Sequence, residues 1–262
     1  MISRNQLNKI SSLQLKKNRL ASGCFIAEGD KTVREFLKSS LRIATIAATK
    51  DWLDLNRATI QQTDIEIIEV SEQELQKLSG LTTANELLAV AYIPSYEPDM
   101  SEIANSLSLV LDEIKDPGNL GTIIRIADWF GISNIFCSEN SVDCFNPKVI
   151  QASMGSICRV KIHYLDLETF LKDCTAKIKL PIYGAFMKGN NVYEEKLSSN
   201  GLLLMGNESR GISKNIETYI NRQISIPSFQ KHPDNTATAE SLNVATATGI
   251  LCAEFRRQNN TI

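Results

Sequence analysis

The chain has 262 residues, 43% of them apolar and 22% charged, with a formal net charge of −2. That balance excludes a disordered chain and leaves room for one large domain or two of ordinary size. No apolar run reaches the roughly 18–20 residues that cross a bilayer, and the start, Met1-Ile-Ser-Arg-Asn-Gln-Leu7, lacks the apolar core of a signal peptide, so a cytoplasmic protein is expected.

The net charge hides a segregation. Residues 1–50 carry ten Lys/Arg against three Asp/Glu, while residues 51–110 carry two against eleven. The basic stretch reads either as the footprint of a polyanion partner or as a solvated helix face. Six scattered cysteines (Cys24, Cys137, Cys144, Cys158, Cys174, Cys252) form no Cys-x-x-Cys pair and read as small buried residues. Neither His163 nor His232 has ligand spacing to a cysteine, so no metal is expected.

In chain order, Leu7, Ile10, Leu13 and Leu15 mark a first helix, followed by a polar stretch with Lys16, Lys17 and Arg19. Gly23 to Gly29 reads as a short strand and turn, with Asp30 as cap of a helix bearing Val33, Phe36 and Leu37. Strands follow at Leu41–Ala48 and Ile65–Val70, a capping box at Ser71-Glu-Gln-Glu74 opens a helix, and Glu86–Ile93 is a further strand. Residues 1–95 therefore form a small α/β domain, residues 96–105 a linker, and residues 106–262 a second domain. The second domain alternates more plainly. Strands are expected at Leu107–Ile114, Asn134–Ser138, Cys158–Tyr164, Ile182–Met187, Leu202–Met205 and Gln223–Ile226. Helices are expected at Thr122–Phe130, Pro147–Met154, Leu167–Ile178, Ser213–Ile220 and Leu242–Arg257. Near-continuous apolar strands between helices imply a parallel sheet covered on both faces.

Three strand ends in this domain turn abruptly polar, which suggests a composite site at the carboxyl edge of the sheet. In Asn119-Leu-Gly-Thr-Ile-Ile-Arg125, Gly118 and Gly121 permit a tight turn, Thr122 can cap the helix, and Arg125 lies about one turn in. A helix start and an arginine fork both favour phosphate oxygens, although Arg125 can equally pair with Asp128 or Asp112 on the surface. Gly206-Asn-Glu-Ser-Arg-Gly211 is neither a Walker loop nor a dinucleotide fingerprint; its glycines admit a closely approaching ligand, or Glu208 caps the helix after Ile212. Finally, Ile226-Pro227 ends a strand, and Ser241-Leu-Asn243 opens the last helix with Ser241 as N-cap.

Taken in order, Asn119…Gly121…Arg125, then Leu204-Met-Gly-Asn-Glu-Ser-Arg-Gly211, then Ile226-Pro227…Ser241-Leu-Asn243, these segments resemble the three motifs of the SpoU/TrmH RNA ribose methyltransferases of the SPOUT class. The first domain, around Phe25-Ile-Ala-Glu-Gly-Asp-Lys-Thr-Val-Arg-Glu-Phe36, resembles that family's ribosomal protein L30-like substrate-binding module. The resemblance implies an α/β fold with a parallel-sheet SPOUT domain closed by a deep trefoil knot, which pattern reasoning alone would not propose. It implies S-adenosylmethionine as cofactor, held largely by backbone at Ala185, Gly206, Ile226 and Leu242, with Asn207 and Pro227 close by. It further implies a homodimer, with the last helix offering Leu242, Val244, Ile250 and Phe255, and ribosomal rather than transfer RNA as substrate. The chain departs from the family's short Ile-Pro-Met-x-Gly link in having the longer Ser228–Glu240 before Ser241.

The reaction so implied is attack of a ribose 2′-hydroxyl on the sulfonium methyl, in which activating the hydroxyl is the difficulty. The resemblance gives that role to Arg125. An arginine stays charged at any working pH, so it is expected to bind phosphate and stabilise the forming alkoxide, with proton abstraction as the lesser option. Asn119 would orient Arg125 or the ribose, Glu208 would accept a hydrogen bond that fixes this geometry, and Ser241 and Asn243 would complete the pocket. Lys16, Lys17, Arg19, Lys31 and Arg34 are the expected RNA phosphate contacts. The alternatives are a non-catalytic RNA-binding or ribosome-assembly factor on the same fold, and a base-methylating relative.

Overall fold

The computed structural model describes residues 2–60, 64–229 and 241–259, so His232 and most of the long link (230–240) lie outside it. In chain order the first elements are α1 (Arg4–Ser12), α2 (Lys16–Ser22), β1 (Cys24–Glu28), α3 (Asp30–Leu37), β2 (Ile43–Ala48), α4 (Lys50–Ile60), β3 (Glu66–Glu69), α5 (Glu72–Leu78) and β4 (Leu87–Tyr92). Then come α6 (Met100–Asn105), β5 (Leu107–Leu111), α7 (Pro117–Trp129), β6 (Asn134–Ser138), α8 (Pro147–Ser153), β7 (Lys161–Leu165) and α9 (Leu167–Lys177). The chain closes with β8 (Ile182–Asn191), β9 (Gly201–Met205), α10 (Lys214–Glu217), β10 (Arg222–Ser225) and α11 (Val244–Asn259).

These elements fall into two compact units, Met1–Ser95 with Asp143–Arg159, and Tyr96–Val142 with Val160–Ile262. The first holds a four-stranded sheet in the order β1-β4-β2-β3, with β4 antiparallel to both neighbours and β2 parallel to β3. Residues 143–159, which carry α8, belong to this unit although the chain reaches them only after β6. Phe145 packs on Phe25 at 4.7 Å between ring centroids, and Asp143 pairs with Arg19.

The second unit is a six-stranded, all-parallel sheet in the order β10-β8-β9-β5-β6-β7. All five residues of β5 and all five of β9 are buried, as a strand covered by helices on both faces requires. On one face Val110, Phe136, Leu202 and Leu204 pack with Phe170, Leu171 and Cys174 of α9. At about 1.5–3 kcal/mol for each large apolar side chain buried, this layer alone contributes much of the unit's gross stabilisation.

The structure differs locally from expectation. The polar stretch after Leu13 is the helix α2, which ends in the left-handed Gly23, and α4 and α6 were not foreseen. The α6 helix, capped by Asp99, occupies the expected linker. Asp30 does not cap α3: Gly29 holds the cap position, and the Asp30 carboxylate instead accepts from Trp52 Nε1 at 2.7 Å and Arg34 Nε at 2.7 Å. The capping box at Ser71 and Glu74 is present.

Candidate functional site

The site is built where β5 and β9, adjacent and parallel, both end. After β5 the chain turns through Asp112–Asp116, and α7 starts at Pro117 rather than Thr122, because the Asp116 carboxylate accepts from the Asn119 amide at 2.8 Å and Pro117 fits the first turn. Asn119 thus lies in the first turn, and Arg125 two turns along rather than one.

After β9, Gly206 has no room for a side chain: a Cβ there would fall 2.3 Å from the Gly211 carbonyl carbon. Asn207 and Gly211 exchange backbone hydrogen bonds of 2.9 Å, closing a tight turn around Glu208, and Gly211 takes φ +71°. The Asn207 side chain holds the turn from inside, accepting from Ser209 N and Arg210 N at 3.0 Å each and donating to the Glu113 carbonyl at 2.8 Å.

Glu208, at the tip, points back at the β5–α7 connection. Its Oε1 accepts from Asn119 Nδ2 at 3.0 Å and Asp116 N at 3.3 Å, and its Oε2 lies 3.5 Å from both Lys115 N and Asn207 Nδ2. Glu208 therefore serves the start of α7, not the helix after Ile212, whose approach is secured by buried Asp112 accepting from Ser213 N at 2.7 Å and Ser213 Oγ at 2.5 Å.

The third segment joins at the same point. Asn243, not Ser241, caps α11: its Oδ1 accepts from Ala245 N at 2.9 Å and Thr246 N at 3.2 Å. Its Nδ2 donates to Asn119 Oδ1 at 2.8 Å. The result is a continuous chain, Asn243 to Asn119 to Glu208, that fixes the Asn119 amide from both ends. At the far ends of the same two helices Arg256 Nε donates to the Phe130 carbonyl at 2.6 Å, so α7 and α11 lie side by side and parallel.

The remaining expected residues are placed less tightly. Arg125 is exposed and makes no ion pair or side-chain hydrogen bond among the described residues, so neither Asp128 nor Asp112 holds it. Ser241 and Leu242 are exposed beside Asn243. Ala185, Gly206 with Asn207, and Ile226 with Pro227 lie on β8 and just past β9 and β10, three neighbouring parallel strands. Val244 and Phe255 are buried within the unit, Phe255 edge-on to Tyr183, so they do not offer the free apolar surface expected of α11. Sequence reasoning gave Glu113 and Arg210 no role and named Asp112 only as a surface partner for Arg125; the signal for Asp112 and Glu113 was a pair of acids directly after an apolar strand.

In the first unit, Arg19 is a correction. It is 2% exposed, paired with Asp143 at 2.5 Å and bonded to the Leu13 and Gln14 carbonyls at 2.9 Å each, so four of its five N–H donors are used internally and its burial keeps it from phosphate. Arg34 is half-buried and bonded to Asp30 and Asn56, while Lys16, Lys17 and Lys31 are exposed. The acidic part of the sequence gathers around a cavity of about 670 Å³ where Asp51, Glu69, Glu72, Glu74 and Glu86 face Lys50, an environment that repels a polyanion. Among the described residues no group of three or more His, Cys, Asp or Glu is arranged to hold a metal, and no helix is long and apolar enough to cross a membrane.

A parallel α/β sheet whose carboxyl edge gathers three polar turns, with an exposed arginine on the helix that starts there, defines a ligand-binding class of fold. The comparisons specify it. The chain belongs to the SpoU rRNA methylase family, whose model matches residues 106–253, and the MRM3-like substrate binding domain matches residues 4–89. It is 28% identical over 246 residues, 93% of each chain, to the 23S rRNA (guanosine(2553)-2′-O)-methyltransferase RlmP of Bacillus subtilis. A TrmH-family structure from Porphyromonas gingivalis superposes with a TM-score of 0.86 at 37% identity, covering 99% of this chain and all of that one. An AdoMet-bound rRNA methyltransferase from Sinorhizobium meliloti gives 0.85 at 26% identity, over 100% of this chain and 98% of its own.

Proposed function

We propose that the protein is an S-adenosylmethionine-dependent ribosomal RNA ribose 2′-O-methyltransferase. The observation that carries the reading is the Asn243–Asn119–Glu208 chain, which joins the three motif segments at one sheet edge within the SpoU family domain. The Bacillus subtilis relative is a 23S rRNA methyltransferase, and the Sinorhizobium meliloti structure has AdoMet bound.

The residues present suit that cofactor. Gly206 and the ends of β8 and β10 offer close backbone approach, with Ala185, Asn207, Ile226, Pro227 and Leu242 as the surrounding contacts. When bound, the cofactor supplies a methyl group already activated by its positive sulfur. Arg125, exposed and without a side-chain partner among the described residues, binds the RNA phosphate and stabilises the charge growing on the ribose oxygen. Asn119, locked by Glu208 on one side and Asn243 on the other, orients the ribose, and Ser241 borders the same helix start. Much of the acceleration comes from this positioning.

The N-terminal domain binds RNA through Lys16, Lys17 and Lys31. We read the enzyme as a knotted, cytoplasmic homodimer, the reading that membership of the SpoU family supports. The test is mass mapping of RNA nucleosides after incubation with labelled cofactor. Label in a 2′-O-methylribose supports the reading; RNA binding without label marks a binding factor, and label on a base marks a different enzyme.

A further inference from the structure

Among the described residues three non-glycine positions have positive φ, and of these only Glu113, at +55°, lies at the site's strand ends. A left-handed backbone is costly for glutamate and free for glycine, and such strain collects where a side chain has a use. The peptide groups of Glu113 would be served equally well by glycine: its N–H donates to Ser138 Oγ at 2.8 Å, and its carbonyl accepts from Asn207 Nδ2 at 2.8 Å. Only the carboxylate requires glutamate. It pairs with the Arg210 guanidinium, accepts from Asn140 Nδ2 at 3.4 Å and lies 4.0 Å from Lys115 Nζ. Arg210 is itself part of the turn around Glu208, and its side chain is otherwise 71% exposed.

We infer that Glu113 is a positioning residue for methyl transfer: by gripping Arg210 it clamps the Asn207–Gly211 turn to the end of β5 and holds Glu208 against Asn119. The inference rests on the methyltransferase reading above. Glu113 touches neither Asn119 nor Arg125; it acts through the turn. Its contribution belongs to kcat rather than to binding, since the backbone that faces the cofactor is retained when the carboxylate is removed.

The test uses the full-length protein with Glu113→Gly, Arg210→Ala and the double variant. Thermal midpoint, S-adenosylmethionine affinity by calorimetry, RNA affinity, and kcat at saturating RNA are measured for each. Glu113→Gly should fold with an unchanged or higher midpoint and bind both ligands within about twofold of the original. Its kcat should fall by at least about tenfold, because misplacement by about 1 Å costs about 100-fold. Arg210→Ala should reproduce the loss, and the double variant should be no slower than the worse single one. An unchanged kcat in Glu113→Gly, multiplicative losses in the double variant, or loss of stability in step with activity would each overturn the role. An original protein that transfers no methyl to RNA removes the underlying reading and the inference with it; an active original with an equally active Glu113→Gly removes Glu113 alone.

Discussion

Asn243 donates its side-chain amide to Asn119 Oδ1 at 2.8 Å across 124 positions of sequence, and with its other amide atom it caps α11. One side chain therefore both starts the last helix and fixes the first motif. The two tasks separate by substitution. Asn243→Asp keeps the capping oxygen but replaces the amide donor with a second acceptor facing Asn119 Oδ1. Its thermal midpoint should stay within a few degrees while kcat falls about 10- to 100-fold. Asn243→Ala should lose the cap as well, at about 1 kcal/mol in denaturant unfolding. Equal activity in both variants and the original would detach the Asn243–Asn119 bond from catalysis.

Arg125 makes no internal bond among the described residues, so its removal should cost nothing in stability. Arg125→Ala should keep its thermal midpoint and its S-adenosylmethionine affinity by calorimetry, yet lose about 100- to 1,000-fold in methyl transfer, the range for deleting one charge-stabilising donor. Arg125→Lys retains the charge but not the planar fork and should fall between. Turnover at the original rate in the alanine variant would remove Arg125 from the mechanism.

The parallel sheet was legible in sequence because β5, β6 and β9 are almost wholly buried and so are written as near-continuous apolar runs, interrupted in Leu107–Leu111 only by Ser108. The start of α7 was misread because the Pro117-Gly118 pair reads as a turn, whereas Asp116 as cap and Pro117 in the first turn make it a helix start. Arg19 was misread for a different reason. Its charge is visible in sequence, but Asp143, which absorbs it, lies 124 positions away in a segment that returns to the first unit. Asn119, Glu208 and Asn243 were singled out through the resemblance, but the hydrogen bonds that join Asn243 to Asn119 to Glu208 became readable only once β5 and β9 stood side by side.

That difference between Arg19 and the lysines can be measured. Lys16→Ala and Lys17→Ala should weaken RNA binding, each reducing the slope of log affinity against log salt by about one, with folding unaffected. Arg19→Ala should instead destabilise the first unit by about 3 kcal/mol, because it leaves Asp143 without its buried partner. Denaturant unfolding and salt-titrated RNA binding on the same preparations separate the two. Salt-independent affinity in the original protein would dismiss the lysines as phosphate contacts.

His163 supplies a pH prediction. It is buried, stacks on Phe136 at 4.9 Å between ring centroids, and shares a hydrogen bond of 3.1 Å with Asn134 Oδ1 through Nε2. Burial, the largest cause, holds its pKa below the ordinary histidine value of 6.5, against smaller upward contributions from a Tyr96 backbone hydrogen bond and from Glu102 and Glu97. Between the folded and unfolded pKa values the unfolded chain binds more protons, so protonation favours unfolding. The stabilisation is fully present above about pH 6.5 and is lost as pH falls toward the lowered folded value. Urea midpoints measured from pH 7.5 down to 5 should therefore decline in the original protein, and decline less in His163→Gln, which keeps a polar side chain but cannot titrate. A parallel decline in both proteins would assign the acid sensitivity to carboxylates instead, with Asp30 and Glu102, held below their ordinary values chiefly by Arg34 and Lys161, as the first to examine.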